Sequence, residues 1–414
     1  MIDAKMPKEL LDEVKKQLDI DNIDIIKSGQ YHHLKDLFGF PNFNNEHTFE
    51  KLPPKRNLDL ECENCVFSAI IEKDRLLYFP YESFEEVIRF VNQAADDKDV
   101  TDIKLTLYRV SDDSAVANAL LRALKNGKNV CVFIETKARF DEANNIKWGK
   151  ILEENGANVI YSYPGIKVHS KIMHVQRIEN GEKVGYSYIG TGNFNEKTSK
   201  IYTDFGLMTA DQRITSEILQ VFSVLERKLI IPKIKKLLVS PFNTRSSFDK
   251  HIEREIDYAK QGKEAYITLK LNSLQDQQLI DHLYKASNAG VKIRLLVRGI
   301  CCLVPGIKNQ SENIQVTSIV DRFLEHARVY IFANGGKEKM YIGSADWMTR
   351  NLDHRIEVVT PILDSEAFQK IKKIVQLQLD DKVKSRIIDK DQKNEYVKFD
   401  AQSKSSQHLI YDEI

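Results

Sequence analysis

The 414-residue sequence holds no uninterrupted apolar run near the roughly 18 residues needed to cross a bilayer; its best candidate, IRLLVRGICCLVPGI, is short and broken by Arg298. Glycine (18) and proline (10) are scarce, and 42% of residues are hydrophobic against 29% charged. That composition excludes collagen, low complexity and disorder, and leaves apolar residues for more than one core. Neither sign of charge is in excess. With 61 Lys+Arg and 60 Asp+Glu the net charge is +1, so bulk attraction to nucleic acid or an anionic membrane is excluded and any anion site must be local. The five cysteines, Cys62, Cys65, Cys131, Cys301 and Cys302, are few and odd in number, and the start MIDAKMPKELLDEVKK lacks the apolar segment of a signal peptide. A reducing, cytoplasmic setting is expected, with any membrane contact peripheral. Cys62 and Cys65 form a single CxxC without a second pair, which disfavours zinc. Cys301 and Cys302 follow an apolar strand and read as packing. No GxxxxGK[ST] occurs, and GTGNFN resembles a phosphate loop only superficially, so a P-loop nucleotide site is excluded.

What is present is a pattern that occurs twice. A helix is expected from YESFEEVIRFVNQAA, opened by a capping box of Ser83 and Glu86 and carrying Phe84, Val87, Ile88, Val91 and Ala95 on one face. IKLTLY reads as a strand, DSAVANALLRALKNG as a helix and NVCVFIE as a strand; IKVHSKIMHV and VGYSYIG then form a hairpin around ENGEK. After a helical connector the order recurs as YITLKL, QQLIDHLYKASNAG, VKIRLLV, and a hairpin of EHARVYIF and KMYIGSAD. Both hairpins end in the same tripeptide, Tyr188-Ile189-Gly190 and Tyr341-Ile342-Gly343. Asn193 and Asp346 stand at one matched offset beyond it, Asp204 and Glu357 at another. The expected fold class is α/β, with two duplicated domains of mixed sheet flanked by helices, at 76–240 and 241–385. Residues 1–75 read as the end of a helical domain and a linker without a core of its own, and 386–414 as a mobile polar tail.

On a strand, alternate side chains share a face, so Lys167, His169 and Lys171 in IKVHSKIM project together, and His326 and Arg328 repeat the arrangement. If the halves pack face to face, two imidazoles converge between cations. Such a pair suits attack by one imidazole on an electrophilic phosphorus while the other handles a proton at the leaving oxygen. Neighbouring cations keep an imidazole neutral at pH 7 and stabilise charge on phosphoryl oxygens. A carboxylate on the other ring nitrogen would fix the tautomer, and Asp204 and Glu357 are the candidates at equivalent positions. Arg109, Lys137, Arg139, Arg298 and Arg322 stand at strand ends or in the loops after them, where open α/β sheets bind ligands, and together favour a polyanion.

The strings LYRV, ETKARFDEANNIKW, KVHSKIM, GTGNFNEKTSKIYTDFGLMTAD, VSPFNTR, LLVRGICCLVPGI, SIVDRFLEHARVY and YIGSADWMTRNLDHRIEV closely resemble the long polyphosphate kinase of bacteria, the type that phosphorylates its own histidine. The likeness runs over roughly residues 30 to 365. It implies two tandem phospholipase-D-like domains and reversible transfer of the ATP γ-phosphate to inorganic polyphosphate, with homo-oligomers. It also implies that His169 is the phosphohistidine nucleophile and that His326 is a second essential histidine at the nucleotide phosphates. Tyr202, Arg298 and His326 match the family's ATP contacts. Arg109 and Arg139 match positions beside Mg2+; since a guanidinium cannot ligate a cation, phosphate contact suits them better. The family carries further domains ahead of the catalytic pair. This sequence opens near the expected end of the helical one (SGQYHHLKDLFGF), so a piece that helps hold the nucleotide is expected to be missing.

Two other readings compete. A phosphodiesterase or nuclease of the phospholipase D superfamily would need an Asp five positions after the Lys of HxK, where Gln176 stands here, and a second Lys where Arg328 stands. A polyphosphate-binding module without catalysis would bind its polymer with strong salt dependence and no need of His169.

Overall fold

The alternating segments become strands in a computed structural model of the chain, which describes all residues except 23–24, 44–47, 58–59, 61–64, 137–141, 163–166 and 399–401. Two compact units result, Met1–Lys51 and Leu52–Ile414. In the first, β1 (Ile2–Asp3) and β2 (Lys27–Ser28) pair in parallel, and helix Lys8–Leu18 buries none of its residues.

The second unit carries both copies of the repeat. Its first half contributes β3 (Arg75–Phe79), β4 (Val100–Leu107), β5 (Asn129–Ile134), β6 (Asn158–Tyr161), β7 (Lys167–Val168), β8 (Lys171–Glu179), β9 (Glu182–Gly190) and β10 (Tyr202–Thr209). The second half contributes β11 (Leu238–Ser240), β12 (Tyr266–Leu271), β13 (Lys292–Val297), β14 (Ile314–Ile319), β15 (Leu324–Glu325), β16 (Arg328–Phe332), β17 (Lys339–Gly343), β18 (Arg355–Pro361) and β19 (Ser385–Ile387). In each half three strands run parallel, β4-β5-β6 and β12-β13-β14, and a hairpin follows, β8-β9 and β16-β17. Helices Ala115–Lys125 and Gln277–Asn288 occupy the same place in the two copies. Each starts on a side-chain cap, from Ser114 and Asp276, and is followed by a glycine at positive φ, Gly127 and Gly290.

One exchange makes the halves inseparable. β15 of the second half joins the first sheet beside β10, and β7 of the first half joins the second sheet beside β18. The faces between the sheets are apolar: Tyr78, Phe205 and Leu207 pack with Val329, Ile331 and Ile342, and Val168, Ile172 and Ile189 pack with Ile356 and Val358. The tripeptide glycines lie where strands approach closely, and a methyl on Gly343 would meet Val358 O at 2.5 Å. Among the described residues no helix is long and apolar enough to cross a membrane.

Several expectations are corrected. The helix at Glu85–Asp96 does bury Phe84, Val87, Ile88, Val91 and Ala95. However, Ser83 Oγ accepts the Glu85 N–H at 3.2 Å, and Glu86 turns to Arg89 at 3.3 Å instead of closing a capping box. Residues before 75 are not all linker, because helix Val66–Glu72 puts Val66, Phe67 and Ile70 into the core of the first sheet. The tail is not loose: β19 pairs with β14, and helix Ser406–Glu413 buries Ser406, Gln407 and Ile410. Cys301 is half-buried and packs against the core of the second half, whereas Cys302 is exposed and does not serve packing; Cys62 falls outside the described residues.

Candidate active site

The short strand β7 carries His169 across to the opposite half. Lys167 and Val168 pair in parallel with Arg355 and Ile356, and the N–H groups of His169 and Ser170 both donate to Ile356 O, at 2.9 and 3.0 Å. That backbone lock sets His169 beside Glu357, with Nδ1 2.9 Å from Oε2. The carboxylate accepts, so Nδ1 carries the ring proton and Nε2 keeps its lone pair. Glu357 is fully buried and also accepts from Asn351 Nδ2 at 2.6 Å and from Ser344 Oγ. The Tyr108 ring stands edge-on to the imidazole at 4.9 Å. Among the described residues no group hydrogen-bonds His169 Nε2, which leaves that atom open to an electrophile.

His326 is built the same way in the opposite direction. β15 pairs with Tyr202 and Thr203, the His326 N–H donates to Thr203 Oγ1 at 3.2 Å, and His326 Nδ1 lies 2.8 and 2.9 Å from the two oxygens of Asp204. Thr191 Oγ1 donates to Asp204 at 2.6 Å, and the Tyr202 ring packs on the imidazole at 5.1 Å. Each histidine is therefore held by the carboxylate of the other repeat.

Two buried cations bind the arrangement together. Arg328 places Nη1 3.3 Å from His326 Nε2 and 2.9 Å from His326 O, and Nη2 3.1 Å from Asp346. Lys171 donates to His169 O and stands over the Tyr108 ring at 5.1 Å. Burial first, then Lys171, Arg355 and Arg328, push the His169 imidazole well below the ordinary 6.5. Burial also pushes His326 down; Asp204 draws it back, Arg328 and Lys171 oppose Asp204, and the net is below 6.5. Lys171 and Arg328 thus act on both imidazoles, which share one positive field. Lys171 is itself lowered well below 10.5, mainly by burial. Burial raises Asp204, but His326, Thr191 and Arg328 outweigh it and hold the carboxyl low. Glu357 is raised by burial against the pull of Lys171, Ser344 and Arg355.

The other expected residues are spread around this centre. Arg298 follows β13, and its Nε and Nη2 donate to Asn272 Oδ1 at 3.0 and 2.8 Å, while Asn272 Nδ2 donates to His326 O at 2.9 Å. Burial, then Arg328, lower Arg298 below its usual value. Arg109 is half-buried just past β4, and Arg322 precedes β15 with Nη2 3.5 Å from His408 Nε2. Lys137 and Arg139 lie outside the described residues. The KxHxK motif is not one continuous strand. β7 stops at Val168 and β8 starts at Lys171, because β7 leaves its own sheet for β18, so alternation along a single strand does not relate the three side chains.

The acids at the centre are all engaged: Asp204 with His326 and Thr191, Glu357 with His169, Ser344 and Asn351, and Asp346 with Arg328 and two backbone N–H groups. Among the described residues no group of three His, Cys, Asp or Glu could hold a metal. This donor set is cationic and does not fit a resident Mg2+.

Thr191, Ser344, Asn272 and Arg355 were not among the expected site residues. Thr191 and Ser344 had a legible signal, a hydroxyl one residue past each tripeptide. Gly192, next to Thr191, packs so tightly that a methyl there would overlap the Asp204 carboxylate. Gly192→Ala should therefore detach Asp204 from His326 and cost about 1–3 kcal/mol of stability. In proton NMR the downfield Nδ1–H of His326 should disappear while that of His169 stays; two unchanged resonances would contradict the packing.

The descriptions "Polyphosphate kinase C-terminal domain 1" and "Polyphosphate kinase C-terminal domain 2" match residues 65–231 and 237–407. Over 99% of its length the chain is 48% identical to a polyphosphate kinase of Vibrio parahaemolyticus, and also over 99% it is 47% identical to one of Escherichia coli K12. It spans 59% and 60% of those two proteins. A crystal structure of polyphosphate kinase from Porphyromonas gingivalis superposes with a TM-score of 0.86 at 41% identity, covering 99% of this chain and 63% of that one.

Proposed function

The chain belongs to the polyphosphate kinase family, whose two C-terminal domains it matches, and on that premise we propose that it transfers the γ-phosphate of ATP reversibly to inorganic polyphosphate through a phosphohistidine on His169. The observation that supports this most is the asymmetry of two otherwise equivalent imidazoles. His169 has a proton-bearing Nδ1 on Glu357 and an Nε2 with no hydrogen-bond partner among the described residues, whereas the Arg328 guanidinium lies against the His326 ring, with Nη1 3.3 Å from Nε2 and 3.4 Å from Nδ1.

In the first step the His169 Nε2 lone pair forms a bond to the γ-phosphorus. The bond to the β,γ-bridging oxygen breaks and its electron pair leaves with ADP. The ring becomes cationic and keeps its Nδ1 proton, so Glu357 sits where positive charge develops. In the second step a terminal oxygen of polyphosphate attacks the phosphorus, the P–N bond breaks, and the neutral imidazole returns. Lys171 and Arg328 stabilise the equatorial oxygens in both steps. Arrival of that anionic group favours the charged form of Lys171, offsetting its burial. Tyr202, Arg298 and His326 are assigned to the nucleotide, and Lys167, Arg109 and Arg322 to phosphates along the polymer, with Lys137 and Arg139 in the same role by resemblance. When bound, Mg2+ neutralises charge on the nucleotide phosphates.

The deciding assay supplies ADP and polyphosphate and reads ATP. Formation of ATP supports the proposal; hydrolysis of a phosphodiester without any ATP would replace it with the phosphodiesterase reading, and salt-sensitive binding without turnover with the binding-module reading. The pH dependence carries a sign. A histidine whose pKa is lowered stays neutral until the pH falls through that lowered value, so the acid limb of kcat/KM should lie below pH 6.5. An acid limb at or above 6.5 would contradict a buried, cation-flanked nucleophile.

A further inference from the structure

The terminal helix Ser406–Glu413 makes its principal polar contact with the segment that delivers His326. Gln407 is completely buried. Its Oε1 accepts the Phe323 N–H at 2.9 Å, and its Nε2 donates to Phe323 O at 2.9 Å and to Glu325 Oε1 at 2.7 Å. A primary amide can satisfy the N–H and the C=O of one residue together, acting as a one-residue strand partner. The other oxygen of Glu325 accepts from Thr203 Oγ1 at 2.9 Å, from Gln378 Nε2 at 2.8 Å and from Lys270 Nζ. Thr203 Oγ1 in turn accepts the His326 N–H at 3.2 Å. The helix is tied down at its start, where the Ser406 N–H donates to Asp381 Oδ2 at 2.6 Å. A buried network of this kind is costly to leave half-satisfied, so losing one member is felt by the rest.

We infer that Gln407 is a positioning residue for His326: by clamping Phe323 and Glu325 it fixes where β15 presents the imidazole to Asp204. The inference rests on the reading of His326 as a group acting at the nucleotide phosphates, and its structural half can be tested without any activity. In Gln407→Ala the Phe323 backbone and Glu325 Oε1 lose their partner. In Gln407→Glu an isosteric carboxylate faces Glu325, so the second change should act more strongly than the first.

In the full chain carrying 15N-labelled histidine, both variants should shift the His326 Nδ1 and Nε2 resonances and leave those of His169 in place. ATP formation should fall about 10- to 100-fold in kcat with little change in KM for polyphosphate. Asp412→Asn, on the exposed face of the same helix, should change neither reading. If Gln407→Glu does not fold, Gln407→Met keeps the helix and the side-chain volume and is read in the same way. Resonances and kcat that match the unaltered chain, or equal shifts at both histidines, would overturn the clamp. A His326 shift in a chain that makes no ATP even when unaltered would keep the clamp and sink the functional reading.

Discussion

Replacing His169 with asparagine should abolish the acid-labile, base-stable label taken from γ-labelled ATP and lower ATP formation by at least about 10^4-fold. The substitution is chosen for what it preserves. An asparagine Nδ2 can sit near the position of the histidine Nδ1 and donate to Glu357, so the buried carboxylate keeps a partner and the β7–β18 pairing is not disturbed. What disappears is Nε2, the only ring atom with a free lone pair. A fold change of that size without a matching fall in thermal stability separates lost chemistry from lost structure. Label that persists at the level of the unaltered chain would mean that another residue carries the phosphoryl group.

Glu357→Gln should lower phosphoryl transfer by on the order of 10^3-fold, although residue 357 belongs to the opposite repeat from His169. The amide can retain an acceptor oxygen for His169 Nδ1 and Ser344 and meet Asn351 through its NH2 once that amide flips, so the fold should survive. The negative charge opposite an imidazole that becomes cationic on phosphorylation is gone. Proton NMR gives the cross-check: the Nδ1–H resonance of His169 should move upfield while the Asp204-bound proton of His326 does not. If the His326 resonance moved instead, the crossed pairing of histidines and carboxylates would be wrong.

That crossing marks the limit of what the sequence could yield. The strands, the hairpins and the helix faces were legible because each is long enough to express a period, and the two YIG tripeptides fixed the register of the duplication. The same register exposed Asp204 and Glu357 as equivalent. It could not say which carboxylate serves which histidine, because the answer depends on β7 and β15, strands of two residues that pair outside their own halves. Two residues carry no periodicity. The terminal segment misled for a different reason: its polarity suggested a solvated tail, whereas Ser406 and Gln407 are buried through hydrogen bonds to Asp381, Phe323 and Glu325. Composition registers apolar burial and is blind to a polar group that is satisfied inside.

The proposed reaction is defined by the atom that receives the phosphorus. In chain labelled with 15N-histidine and phosphorylated by ATP, the 31P–15N coupling identifies the bonded atom directly. The prediction is a single P–N bond to Nε2 of His169, discharged on addition of ADP or polyphosphate; phosphorus on His326, on a carboxylate oxygen, or on no residue at all would contradict it.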